Sequence, residues 1–91
     1  MPRKQDAQRV LKNLGRRVAE LRTARGFTQE RFSERAGWTP RYQQFIESGR
    51  ANLTVASLVT LANLLGVQAN DLLAAPASRE VAKGRPPRRL L

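Results

Sequence analysis

The sequence contains no cysteine and no histidine. Without cysteine there are no disulfides, no thiolate metal sites and no thiol chemistry. Without histidine the commonest general base and the commonest metal ligand are missing as well. Acidic residues are scarce, seven among 91, and scattered along the chain. No acid–base constellation can be assembled from them, so neither an enzyme nor a cofactor is expected. No apolar run approaches the ~18 residues that a bilayer span requires, and Met1-Pro2-Arg3-Lys4 is not followed by a signal-type apolar segment. The expectation is a cytoplasmic protein with no membrane partner.

What is abundant is positive charge. Seventeen Lys and Arg give a formal net charge of +10. Such an excess favours a polyanionic partner: nucleic acid, an acidic protein or an anionic surface. The charge is unevenly placed. Residues 1–25 carry eight Lys or Arg against Asp6 and Glu20, and residues 76–91 carry five against Glu80. The block between them is balanced, four against four. The basicity flanks a neutral core.

The length suits one small domain with a single core. Residues 1–5 read as a disordered basic N-terminus, residues 6–75 as the folded domain and residues 76–91 as a flexible basic tail. From about Asp6, Val10, Leu11, Leu14, Val18 and Leu21 recur at helical spacing, and Gly26 closes that helix. Gly15 weakens its early part by about 1 kcal/mol against Ala. Thr54 caps a fourth helix with Val55, Leu58, Leu61, Ala62 and Leu65 on one face, ended by Gly66. A short fifth helix around residues 69–74 is expected to turn Leu72 and Leu73 inward. With no strand signal, the fold class is all-α, a compact five-helix bundle.

Between the first and fourth helices, residues 27–49 hold two short helices and a tight turn. Thr28 is an N-cap, and Gly37 permits the left-handed residue that ends a helix. Thr39-Pro40 starts the next one, with Pro at the first helical position, where its missing N–H costs nothing. Trp38, Tyr42, Phe45 and Ile46 form an apolar stripe along it, and Gly49 stops it. In a strongly basic chain this is the pattern of a helix-turn-helix.

The segments LRTARGFTQERFSERAG, TPRYQQFIESGRANL, SLVTLANLLGV and DLL, in this order, resemble the phage-repressor and Cro type of helix-turn-helix domain, the XRE family. The likeness runs from about Leu14 to Leu73. It implies a lambda-repressor-like DNA-binding bundle with the helix-turn-helix at helices 2 and 3. By position, it implies DNA base contacts from Thr39, Pro40, Arg41 and Gln44 on helix 39–48. It implies phosphate contacts from Gln29, Arg50 and the backbone around Asn52, and a partly buried ion pair between Arg22 and Glu47. Two positions depart from the pattern: Gln43 stands where an aliphatic is usual, and Phe45 where a polar residue is usual. Either the helix is turned to bury Phe45, or Phe45 is exposed and meets a thymine methyl. Aromatic residues at such positions are more often core than DNA wedges, and core is favoured for both Phe45 and Trp38.

Two functions from different classes fit. The first is a sequence-specific regulator of transcription that binds double-stranded DNA as a homodimer, because one short recognition helix provides little specificity. The second is an adaptor or antitoxin-type protein that uses the same fold to hold a protein partner.

Overall fold

The computed structural model describes residues 4–74; the tail assigned to residues 76–91 lies outside the described residues. Five helices follow in order: α1 (Ala7–Ala24), α2 (Gln29–Ala36), α3 (Pro40–Glu47), α4 (Val55–Leu65) and α5 (Ala69–Leu72). Lys4 and Gln5 precede α1 and are exposed.

The starts follow from side chains that satisfy helix amides lacking an intrahelical acceptor. Asp6 accepts from the Gln8 amide at 3.2 Å, and Thr28 from Arg31 at 3.0 Å. Thr39 accepts from Tyr42 at 3.1 Å, and Thr54 from Ser57 at 3.0 Å. Each side-chain oxygen, a carboxylate at Asp6 and a hydroxyl at the three threonines, replaces a backbone acceptor, so the four longer helices begin where the sequence places a short polar residue.

The core gathers Leu14 and Val18 of α1, Phe32 of α2, Ile46 of α3, Ala51 of the following loop, Leu61, Ala62 and Leu65 of α4, and Leu72 of α5. Phe27 meets Phe32 edge-on, with ring centroids 5.6 Å apart, which closes the α1–α2 corner over this core. Arg17 Nε donates to the Asp71 carbonyl at 3.4 Å and ties α1 to α5.

Gly15 is explained by α3. A Cβ at this position would stand 2.7 Å from the Glu47 carbonyl oxygen and closer still to that of Ile46. The end of α3 therefore rests directly on the backbone of α1, an approach only glycine allows. Gly49, at φ +80°, sits beside α1 too, where a Cβ would lie 2.7 Å from Lys12 Cγ.

Four apolar side chains lie further out than the helical pattern of the sequence suggests. Phe45 is 37% exposed, whereas Gln43 is fully buried. Helix α3 is rotated so that Gln43 and Glu47, one turn apart, both point inward. Phe45, about 100° from Ile46 around the axis, turns out to solvent. Trp38 is half-buried against the core rather than part of it. Val55 is 77% exposed, because it precedes the part of α4 that meets the core. Leu73 is exposed because adjacent leucines on so short a helix cannot both face inward, and Leu72 takes the core position.

Candidate nucleic-acid interface

The site is built on a buried carboxylate. Glu47 ends α3 and accepts from Arg22 Nε at 2.6 Å and Arg22 Nη2 at 3.1 Å. The pair is largely buried, with side chains 14% and 8% exposed. Gln29 Nε2 donates to Glu47 Oε1 at 2.9 Å, and Gln43 Nε2 to Oε2 at 2.8 Å. Arg22 Nη1 also donates to the Phe27 carbonyl at 2.6 Å. Charge-assisted bonds of this kind are the strong class, and a forked guanidinium fixes orientation as well as distance. One carboxylate thus joins α1, the first residue of α2, and α3.

Gln43 explains itself in this setting. Its carbonyl oxygen accepts from Trp38 Nε1 at 2.8 Å while its amide nitrogen serves Glu47. A buried amide is tolerated when both ends are satisfied. The sequence held a signal for this: Gln43 and Glu47 stand at i, i+4, on one helix face.

With the inner face of α3 committed, its outer face is defined. Thr39 and Pro40 are exposed at the leading end, and Arg41, Gln44 and Phe45 follow on the exposed side. The Arg41 guanidinium lies 5.5 Å from the Phe45 ring centroid, and that of Arg50 lies 6.0 Å away. The loop carrying Arg50 is pinned to α3, since the amides of Arg50 and Ala51 both donate to the Phe45 carbonyl, at 2.9 and 3.2 Å. Asn52 is exposed in the same loop, and Lys12 of α1 is exposed beside Gly49.

The structure therefore gathers Thr39, Pro40, Arg41, Gln44, Arg50 and Asn52 around α3 and the loop after it. Gln29 sits apart from them at the start of α2, with one amide hydrogen engaged by Glu47; a glutamine amide carries two. Reading the sequence left Phe45 open between this face and the core, because an apolar ring at that position suits either; the structure places it on this face. Lys12 had no sequence signal, since its nearness to the loop arises from α1 packing on α3.

A family model described as a helix-turn-helix domain matches residues 13–75. The chain belongs to the helix-turn-helix family. Its fold is that of the Cro/C1-type DNA-binding domains. An uncharacterized HTH-type transcriptional regulator of Sinorhizobium fredii, y4dJ, is 40% identical over 62 residues, covering 68% of this chain and 80% of that protein. The crystal structure of the restriction-modification controller protein C.AhdI from Aeromonas hydrophila is similar, with a TM-score of 0.69 and 31% identity. That match covers 75% of this chain and 99% of the controller. SinR, a master regulator for biofilm formation solved in complex with DNA, has a TM-score of 0.62 and 26% identity. It is matched over 67% of this chain and 98% of SinR. No helix among the described residues of this helix-turn-helix protein is long and apolar enough to cross a membrane.

Proposed function

We infer that this helix-turn-helix protein regulates transcription by reading double-stranded DNA, with α3 in the major groove and α2 across the backbone. The observation that carries the reading is the division of α3. Its inner face is consumed by Ile46, Gln43 and Glu47, while Arg41 and Gln44 stand exposed on the other. Arg pairs bidentately with guanine and Gln with adenine, the chemistry that direct readout requires. Thr39 and Pro40 lead the helix towards the same base edges.

Phosphates supply most of the affinity in this reading. Arg50 and the backbone at Asn52 hold one strand beyond α3. Gln29 holds the other approach with its second amide hydrogen, at a helix start whose free N–H groups already favour an anion. Lys12 adds a cation beside the Arg50 loop. Residues 6–75 form the DNA-binding unit, and the basic segments at 1–5 and 76–91 add charge to it. SinR, of similar fold, binds DNA in its crystal structure, which supports the assignment.

A helix of eight residues reads few base pairs. Two copies related by a two-fold axis would read half-sites about one helical turn apart, ~34 Å. The exposed Val55, Val59 and Leu73 on α4 and after α5 offer apolar surface for that pairing.

Selection of bound sequences from a random duplex pool tests the reading, followed by Arg41→Ala on the selected site. An inverted repeat is expected. The variant should lose ~1–3 kcal/mol on the preferred site and much less on unrelated DNA, at one fixed salt concentration. Equal loss on both DNAs would make Arg41 a phosphate contact, and no loss on either would mean that α3 does not enter the groove.

A further inference from the structure

Phe45 gives the outward face of α3 a chemistry that hydration alone does not call for. The ring is exposed beside two guanidiniums, Arg41 from one turn earlier and Arg50 from the loop. The carbonyl of the same residue anchors that loop through the Arg50 and Ala51 amides. An apolar surface flanked by strong donors is thus held in fixed register with α3.

The base edges of a major groove offer few complements to such a surface. The ring has no donor or acceptor. Pressed on a purine N7, a carbonyl oxygen or an amino group, it would remove water and return no hydrogen bond. The C5 edge of a pyrimidine is apolar, and it offers the ring most surface to cover without that cost where it carries a methyl. Beside it, guanine N7 and O6 are the acceptors that a guanidinium pairs with bidentately.

We propose that Phe45 is a specificity-determining residue that covers a pyrimidine C5-methyl in each half-site, with Arg41 positioned against the ring to pair with an adjacent guanine. The proposal rests on the reading in which α3 enters the major groove. Two bases carry this methyl, thymine and 5-methylcytosine, and the ring meets the same group in either.

The test replaces each thymine of the selected site in turn by deoxyuridine, which removes the methyl and leaves every hydrogen-bonding group in place. The wild-type protein should lose roughly three- to fivefold in affinity at one thymine of each half-site, the worth of about one buried apolar carbon. Phe45→Gln should show no such loss there and should remain folded at the assay temperature, checked by its melting curve, since Phe45 lies outside the core. At the same position, 5-methylcytosine should bind more tightly than cytosine in the wild type and equally in Phe45→Gln. Affinity at or above that for thymine assigns methylated cytosine as the natural base; lower affinity assigns thymine.

Indifference of the wild type to uracil at every position would overturn the proposal. So would an unchanged uracil effect in Phe45→Gln, because another residue would then touch the methyl. A site still read through Arg41 but indifferent to the methyl would sink this inference and leave the reading of α3 standing. Absence of any preferred site would sink both.

Discussion

The two faces of α3 are built on opposite terms. Inward, Glu47 accepts from Arg22, Gln29 and Gln43, and the backbone end of the helix rests on Gly15 with no room for a methyl group. Outward, Arg41, Gln44 and Phe45 are exposed, and the Phe45 ring meets the guanidiniums of Arg41 and Arg50. The inner contacts are short, directional and mutually dependent, so one change there is felt by three helices. The outer ones are long side chains on a fixed platform. A reading helix of two turns has little stability of its own. Its geometry is borrowed from the inner face, which leaves the outer face free to carry recognition.

The comparison breaks most visibly at Glu47. Glu47→Ala leaves the Arg22 guanidinium and two amides without their acceptor. Removing one partner of a fully buried pair costs ~3–5 kcal/mol, and the slight exposure here places the expected loss towards the lower end. Thermal unfolding should show a clear drop in melting temperature. Replacing Arg22 and Glu47 together should cost less than the sum of the single losses; strict additivity would show that the two side chains are not coupled.

Gly15→Ala tests the contact between backbones. The added methyl must push α3 away from α1, an overpacking that costs about 1–3 kcal/mol. If α3 carries the reading face as proposed, affinity for the preferred DNA should fall even at temperatures where the protein remains folded. An unchanged melting temperature would mean that the two helices have slack between them.

Gln43→Leu sharpens the comparison within the inner face. Leucine restores apolar packing but deprives Trp38 Nε1 of its acceptor and Glu47 of one donor. A net loss of about 1 kcal/mol is expected, since unpaired polar groups offset the gain in burial. A more stable variant would show that the amide is not needed at this junction.

Arg50→Ala should have the smallest effect on stability, within about 0.5 kcal/mol, as an exposed substitution. Its effect should instead appear in binding. The slope of log K against log salt should become shallower by about 0.9, equally for all sequences, if one phosphate contact is lost. An unchanged slope would remove Arg50 from the phosphate contacts.

Much of this protein was written locally. The caps at Thr28, Thr39 and Thr54, the proline at the first turn of α3 and the glycines that end α2 and α4 each act within a few residues of themselves. A linear reading therefore places the helices well. Absence was equally informative, since a chain without cysteine and histidine leaves few chemistries to consider. The order of these local signals was enough to suggest the family.

The rotation of α3 was decided elsewhere. Counting apolar residues favoured the core for Phe45 without deciding it, but a helix turns to satisfy its most costly group, here the buried carboxylate of Glu47. That group draws Gln43 inward and sends Phe45 out. The same holds for Gly15, a mere weakness in α1 until α3 lies upon it, and for Lys12, which gains a place beside the Arg50 loop only through that packing. Local signals determined where each helix begins and ends; which side of each helix meets its neighbours was settled by pairing across helices, and burial of an ionised group outweighs one exposed aromatic ring.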